Sequence, residues 1–273
     1  MTLKTAFATL TAAFLAATAY AAPVSMWRLD CGKIVAFDLD EFSDTRAYVG
    51  QHRDLTASCY LIRHGDTYML WDAGIPKSAL NHVPDPKQGL DAVLTVTIAD
   101  QLAKIGVKPE QISIVGISHY HFDHTGQAAD FPQAKLLEGK GDIDDLRTSQ
   151  AARAAPLAHW LSGGGTLDPV VGDRDIFGDG SVVMIDLPGH TPGHHGLLVK
   201  LAHKGYLLLS GDVAHFTTNY ESNGIPSFNT DRAASLASLD RFRKLAANLH
   251  ATVIIQHEPG DIAKLPAFPK AAD

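Results

Sequence analysis

The sequence predicts an α/β fold of two similar halves stacked sheet to sheet. Strand-length apolar segments and a helical pattern follow one another in the order strands, helix, strand, and that order then repeats. The residues able to do chemistry fall just after strands, where α/β sheets usually place their sites. At 273 residues the chain is long enough for one large domain with a substantial core, and no composition shift demands a second one.

The elements follow in order. Met1 to Ala21 carry Lys4, then an Ala/Leu/Phe/Thr run, and end in Ala19-Tyr20-Ala21. That is the layout of a signal peptide cleaved after Ala21, leaving residues 22–273 as the folded domain in the periplasm or outside the cell. The run is shorter than the ~20 apolar residues of a spanning helix. Thr5, Thr9, Thr11 and Thr18 dilute it further, so no membrane anchor is expected. Val24 to Leu29 and Ile34 to Leu39 read as two opening strands on either side of Cys31-Gly32-Lys33. Glu41 to Thr56 is polar without helical period and reads as a long loop, a feature that is commonly functional.

Ser58 to Ile62 and Thr67 to Trp71 form an expected hairpin, running into Asp72-Ala73-Gly74-Ile75-Pro76, where Asp72 is expected to bond its own turn's backbone. Leu94, Ile98, Leu102 and Ile105 recur at helical spacing, with Gly106 and Pro109 as the stop. Ile112 to Ile117 is a buried strand, Ala134 to Leu137 a short one, and Gly141 to Ala155 a polar helix. Val182 to Leu187, Leu197 to Leu201 and Tyr206 to Leu209 are further strands. Leu236, Leu239, Phe242, Leu245 and Leu249 mark one face of a helix capped by Asp231, and Val253 to Ile255 is the last strand.

Composition narrows the function. Apolar residues make up 45%, which argues against disorder, and a net charge of −7 without a Lys/Arg cluster argues against nucleic acid as a partner. A small neutral or weakly charged substrate fits better. The two cysteines, Cys31 and Cys59, lack Cys-x-x-Cys spacing; in an oxidising compartment they can pair, and two separate buried thiols are equally compatible.

The chemistry concentrates in Ser118-His119-Tyr120-His121-Phe122-Asp123-His124-Thr125-Gly126, where three histidines and an aspartate occupy six residues after a strand. Imidazole nitrogen and carboxylate oxygen are the donors zinc accepts. Three other strand ends offer His190, Asp212 and His257. One ion can take His119, His121 and His190, and a second Asp123, His124 and His257, with Asp212 between them; two catalytic ions at such a spacing lie about 3.5–4 Å apart. The same donors accept cobalt, manganese or iron. His194 and His195 stand outside this set as loop-packing residues or partners of His190. Phe216, Tyr220 and Phe228 read as core residues that can also line a pocket, and Trp160 as a packing residue or a pocket cover.

These stretches resemble the metallo-β-lactamase fold superfamily, whose His-x-His-x-Asp-His motif runs intact from His119 to His124. Within it the chain is most similar to the N-acyl homoserine lactone hydrolases, the quorum-quenching lactonases. Ala57 to Ile62, Asp72 to Pro76, Pro188 to His194 and the helix leading to His257 carry that likeness. The resemblance implies a four-layer αβ/βα sandwich with two zinc ions between the sheet edges, bridged by Asp212. A carboxylate there argues against a dedicated β-lactamase. It also implies a lactone substrate, with ring opening by hydroxide, since water shared by two cations ionises near pH 7.

Asp123 is then placed to shuttle a proton to the leaving alkoxide. Many such lactonases carry tyrosine three residues after the bridging aspartate; this chain has His215, which can donate a similar hydrogen bond to the substrate carbonyl. Other reactions of the superfamily, on thioesters, β-lactams or other lactones, stay open, as does a non-catalytic zinc-binding protein.

Overall fold

The computed structural model describes residues 22–273; the expected signal peptide, Met1 to Ala21, lies outside the described residues. The strands β1 (Val24–Ala36), β2 (Arg53–His64), β3 (Thr67–Trp71) and β4 (Leu90–Val93) precede α1 (Ile98–Lys104). Then come β5 (Ile112–Gly116), the single turn α2 (Phe122–Thr125), β6 (Lys135–Gly139), α3 (Lys140–Leu146), α4 (Ala158–Leu161) and β7 (Leu167–Val170). The second half holds β8 (Arg174–Asp175), β9 (Val182–Asp186), β10 (His195–Leu201), β11 (Gly205–Leu209), α5 (Thr217–Ser222), α6 (Arg232–Leu249) and β12 (Thr252–Ile254).

Seven strands form one sheet in the order β4-β1-β2-β3-β5-β6-β7, and five form the other in the order β12-β11-β10-β9-β8. Period-2 alternation decides how they stack. In β2 and β3, Tyr60, Ile62, Met69 and Trp71 point to the space between the sheets, where they meet Met184, Leu197, Val199 and Leu207. Their alternates Leu61 and Leu70 pack outward with Ile98 and Leu102 of α1. On the far side, Leu187 and Leu208 pack against Leu239 and Phe242 of α6. The result is the expected four layers: helix, sheet, sheet, helix. Asp231 caps α6 as anticipated, its carboxylate accepting from Ala234 N at 2.9 Å.

Several elements differ from the sequence reading. The two opening strands are one, β1, paired to β2 along its length with a bulge between Asp30 and Lys33. Gly32, at φ 105°, supplies the left-handed turn of that bulge, and the break in alternation is what reads as a loop in the sequence. The helix expected over Gly141 to Ala155 stops at Leu146. There the hydroxyls of Thr148 and Ser149 take Asp144 O and Asp145 Oδ1, offering the chain an alternative to further helical turns. The edge strand β7 and the two-residue β8 escape notice because they are short and polar, and β7 contains Pro169. Trp160 is a packing residue, buried with Nε1 donating to Ala134 O. Cys31 and Cys59 are joined as a disulfide linking β1 to β2. No helix among the described residues is long and apolar enough to cross a membrane.

Candidate metal centre

Five strands deliver side chains to one rim of the sandwich. β3, β5 and β6 run parallel, as do β11 and β12, with β9 aligned to them because both β9 and β11 are antiparallel to β10. Their C-terminal ends present Asp72 after β3, His119 to His124 after β5, His190 after β9, Asp212 after β11 and His257 after β12.

The structure brings together all seven residues singled out as ligands, in two groups that share Asp212. In the first, His190 Nε2 lies 3.1 Å from His119 Nε2 and 2.9 Å from His121 Nδ1, and His119 Nε2 lies 3.0 Å from His121 Nδ1. Asp212 Oδ2 faces this group, 3.4 Å from His190 Nε2 and 3.6 Å from His119 Nε2. In the second, Asp212 Oδ1 lies 3.1 Å from His257 Nε2 and 3.4 Å from His124 Nε2, while Asp123 Oδ2 lies 3.5 and 3.3 Å from the same nitrogens. The donors of each group lie within 4.8 Å of one another.

The second ring nitrogens of His119, His124, His190 and His257 meet partners outside the two groups. His124 Nδ1 lies 2.9 Å from Asp72 Oδ2, His190 Nδ1 2.8 Å from Asn229 Oδ1 and His257 Nδ1 2.6 Å from Thr56 O. An acceptor on one nitrogen fixes the tautomer and leaves the other as a lone pair. His119 Nδ1 lies 3.1 Å from Ser118 Oγ, which donates to Asp72 Oδ2. Asp72 therefore does not close its own turn. It sits at φ 58°, fully buried, accepting from Ser118 N at 2.7 Å and holding the His124 ring.

His194, read as a loop residue, proves to anchor Asp212. Its Nδ1 lies 2.9 Å from Leu187 O, and its Nε2 accepts from Asp212 N at 2.7 Å. Gly211, at φ 51°, is the residue that lets this approach occur, since a Cβ there would lie 2.6 Å from His194 Nε2. Asp72, Asn229 and His194 carry no metal-ligand spacing. The only hint in the sequence is that Asp72 and His194 lie beside strand ends; Asn229, in the loop between α5 and α6, carries none.

Electrostatics sort the centre. Burial, reinforced by neighbouring imidazoles, holds His119 and His190 well below the usual histidine range. Burial takes His121 down to about 4 and His194 to about 3. These rings are neutral, the state in which imidazole ligates. Burial pushes Asp212 the other way, yet the surrounding imidazoles, His257 and His124 foremost, hold it well below the carboxylate range. Burial likewise opposes charge on His124, but the carboxylates of Asp212, Asp123 and Asp72 outweigh it and raise the ring well above its ordinary value. The second group thus demands positive charge.

Two buried atoms, His124 Nε2 and Asp212 Oδ1, have no hydrogen-bond partner although they lie 3.4 Å apart. Two converging acceptors that satisfy neither each other nor any third group suit a shared cation, and the N/O donor set suits a divalent transition metal.

A cavity of about 280 Å³ opens over this centre, with His121, Asp123, Asp212, His215 and His257 in its lining. Ile34, Phe42, Leu90, Phe122 and Phe228 provide apolar wall. Of the three aromatic residues considered, only Phe228 lines it; Phe216 is fully buried in the core, and Tyr220 packs edge-on against Phe242. His215 lines the cavity too, with its ring stacked on His257 at 5.6 Å and its Nε2 3.2 Å from Asp212 Oδ2.

A two-sheet sandwich with a histidine and aspartate rim at its strand ends defines a class of metal-binding proteins. The chain belongs to the metallo-β-lactamase superfamily, whose family model matches residues 52–257. Among similar proteins, the N-acyl homoserine lactonase AttM of Rhizobium radiobacter is 27% identical over 240 residues, spanning 80% of this chain and 89% of the relative. The N-acyl homoserine lactonase AiiA of Bacillus thuringiensis subsp. kurstaki is 23% identical over 234 residues, spanning 81% and 88%. A solved N-acyl homoserine lactone hydrolase, with N-hexanoyl-L-homoserine at its catalytic metal centre, shares the fold at a TM-score of 0.78 and 20% identity, covering 93% of this chain and 100% of that one.

Proposed function

We propose that this protein is a dinuclear-zinc hydrolase that opens the lactone ring of N-acyl homoserine lactones. The observation that carries the reading is Asp212, whose two oxygens face two separate donor groups on the floor of an apolar-walled cavity. The lactonase relatives, similar over about four fifths of the chain, support the substrate.

His119, His121 and His190 would hold one ion, Asp123, His124 and His257 the other, and Asp212 both. Such a pair, when bound, polarises a carbonyl and supplies ionised water at neutral pH. The chain's own residues do the rest. Phe42 and Phe228, 5.4 Å apart edge to face, wall the cavity beside the centre and limit bulk water there. Asp123, buried with its carboxylate beside His257 and His124, is placed to carry a proton to the ring oxygen as the ester bond opens. His215 acts on the reaction through Asp212, to which its Nε2 is directed, and its ring closes the cavity wall between Phe42 and His257.

The disulfide supports the proposal that the protein works in an oxidising compartment, the periplasm or the exterior, after removal of residues 1–21.

The test is ring opening of N-hexanoyl homoserine lactone, followed by proton release, with protein stripped of metal and then reloaded with zinc. Turnover that returns at two ions per chain supports the reading. Zinc-loaded protein that leaves acyl homoserine lactones intact but cleaves a glutathione thioester or a carbapenem would replace it.

A further inference from the structure

Two charged side chains of the cavity take no part in the centre just described. Arg153 and Glu41 both line it, one from the segment after α3 and the other from the turn between β1 and β2. Neither forms an ion pair with the other or with any other charged group among the described residues. Arg153 is exposed, and among the described residues its one side-chain hydrogen bond is from Nε to Gln150 Oε1 at 3.1 Å, which leaves both terminal nitrogens of the guanidinium without an acceptor there. Arg153 shares the cavity lining with His121, Asp123 and Asp212 of the metal centre. The Glu41 backbone carbonyl is tied down by Ser227 N and Oγ, both at 3.0 Å, whereas its carboxylate accepts no hydrogen bond from the described residues. That carboxylate is partly desolvated and lies near Asp38, so an N–H donor arriving there is favourable.

Outside the metal centre, the cavity lining thus carries one charged donor fork and one charged acceptor, both unpaired among the described residues. A secondary amide is the neutral group that presents one carbonyl acceptor and one N–H donor on opposite edges of the same plane. We propose that Arg153 and Glu41 grip the amide of the substrate's acyl arm, Arg153 donating to its carbonyl and Glu41 accepting from its N–H, so that the protein selects N-acylated ring substrates over plain alkyl ones. This rests on the proposed lactone reading for the ring itself but concerns a different part of the ligand. Hydrogen bonds to charged groups outweigh neutral ones, and each removed here weakens binding roughly 10- to 100-fold.

The test is calorimetric binding to the zinc-loaded full chain, using two lactams whose rings resist opening. One is N-hexanoyl homoserine lactam; the other has the same ring and chain length with methylene groups in place of the exocyclic amide. The wild type is expected to favour the first at least tenfold, and Arg153→Met and Glu41→Leu each to reduce that preference, while Arg153→Lys restores part of it. Equal affinity of the wild type for the two lactams overturns the proposal. So does an equal loss for both ligands in the variants, measured on protein with an unchanged thermal transition. A protein that prefers the amide-bearing lactam yet opens no lactone would remove the proposed activity and leave this recognition standing.

Discussion

Asp72→Asn is isosteric, so its effect isolates the proton arrangement at His124. The wild-type carboxylate is fully buried and uses both oxygens: Oδ1 accepts from Ser118 N at 2.7 Å, and Oδ2 accepts from Ser118 Oγ at 3.1 Å and from His124 Nδ1 at 2.9 Å. An asparagine can keep its oxygen on Ser118 N, which turns its amide N–H toward His124. An N–H cannot accept from Nδ1–H. The ring then either loses a hydrogen bond to a charged acceptor, about 1.5–3 kcal/mol, or moves its proton to Nε2 and surrenders the lone pair aimed at Asp123 and Asp212.

Either way, affinity for the ion of the second group should fall roughly 10- to 100-fold, while the His119, His121 and His190 group keeps its ion. Competition with a chromophoric chelator, together with metal analysis after dialysis, reads both steps separately. Two ions per chain bound at wild-type affinity in the Asp72→Asn protein would refute the tautomer argument.

Three further outcomes are expected. Burial raises Asp142 from 3.8 to about 7, while it accepts from Thr191 Oγ1 at 2.8 Å and Gly193 N at 2.6 Å in the loop that carries His190. A carboxyl protonated preferentially in the fold contributes stability that is complete below about pH 4 and lost as pH rises through about 7, at most roughly 4 kcal/mol. Thermal unfolding should therefore lose more between pH 5 and pH 8 in the wild type than in Asp142→Asn; an identical pH slope in the two would contradict the assignment. Replacing Cys31 and Cys59 by serine opens a bridge across 28 residues and should lower unfolding free energy by roughly 3–4 kcal/mol, visible as a lower denaturant midpoint with a slope equal to or steeper than the wild type's, because the unfolded chain is freed to expand. His215→Phe keeps the aromatic contacts with Phe42 and His257 but removes the nitrogen directed at Asp212, so kcat on a lactone should fall about tenfold with little change in KM. A larger rise in KM than fall in kcat would instead assign His215 to substrate binding.

Beneath the centre, Glu138 is fully buried with neither carboxyl oxygen bonded, and burial followed by the charge of Asp142 raises it well above the carboxylate range. Nothing in the run Leu136-Leu137-Glu138-Gly139 separates this glutamate from a solvent-facing one in an alternating strand.

The sequence by itself determined the layer order and the metal chemistry, because both are written in short-range pattern. Period-2 alternation in β2 and β3 sorts residues between two apolar faces, and His119 to His124 place four donors within six residues, too close for the chain to scatter. His190, Asp212 and His257 are legible for a related reason: each stands just past a strand, and parallel strands end on one rim. Only the tertiary structure decided which atom of Asp212 faces which group, that Asp72 reaches 46 residues to Ser118 and 52 to His124, and that His194 holds the Asp212 backbone. It also joined Cys31 to Cys59 and turned Arg153 and Glu41 into one cavity. These relations depend on angles and separations of a few ångström between segments far apart in the chain. Packing fixes such distances, and local pattern carries no record of them.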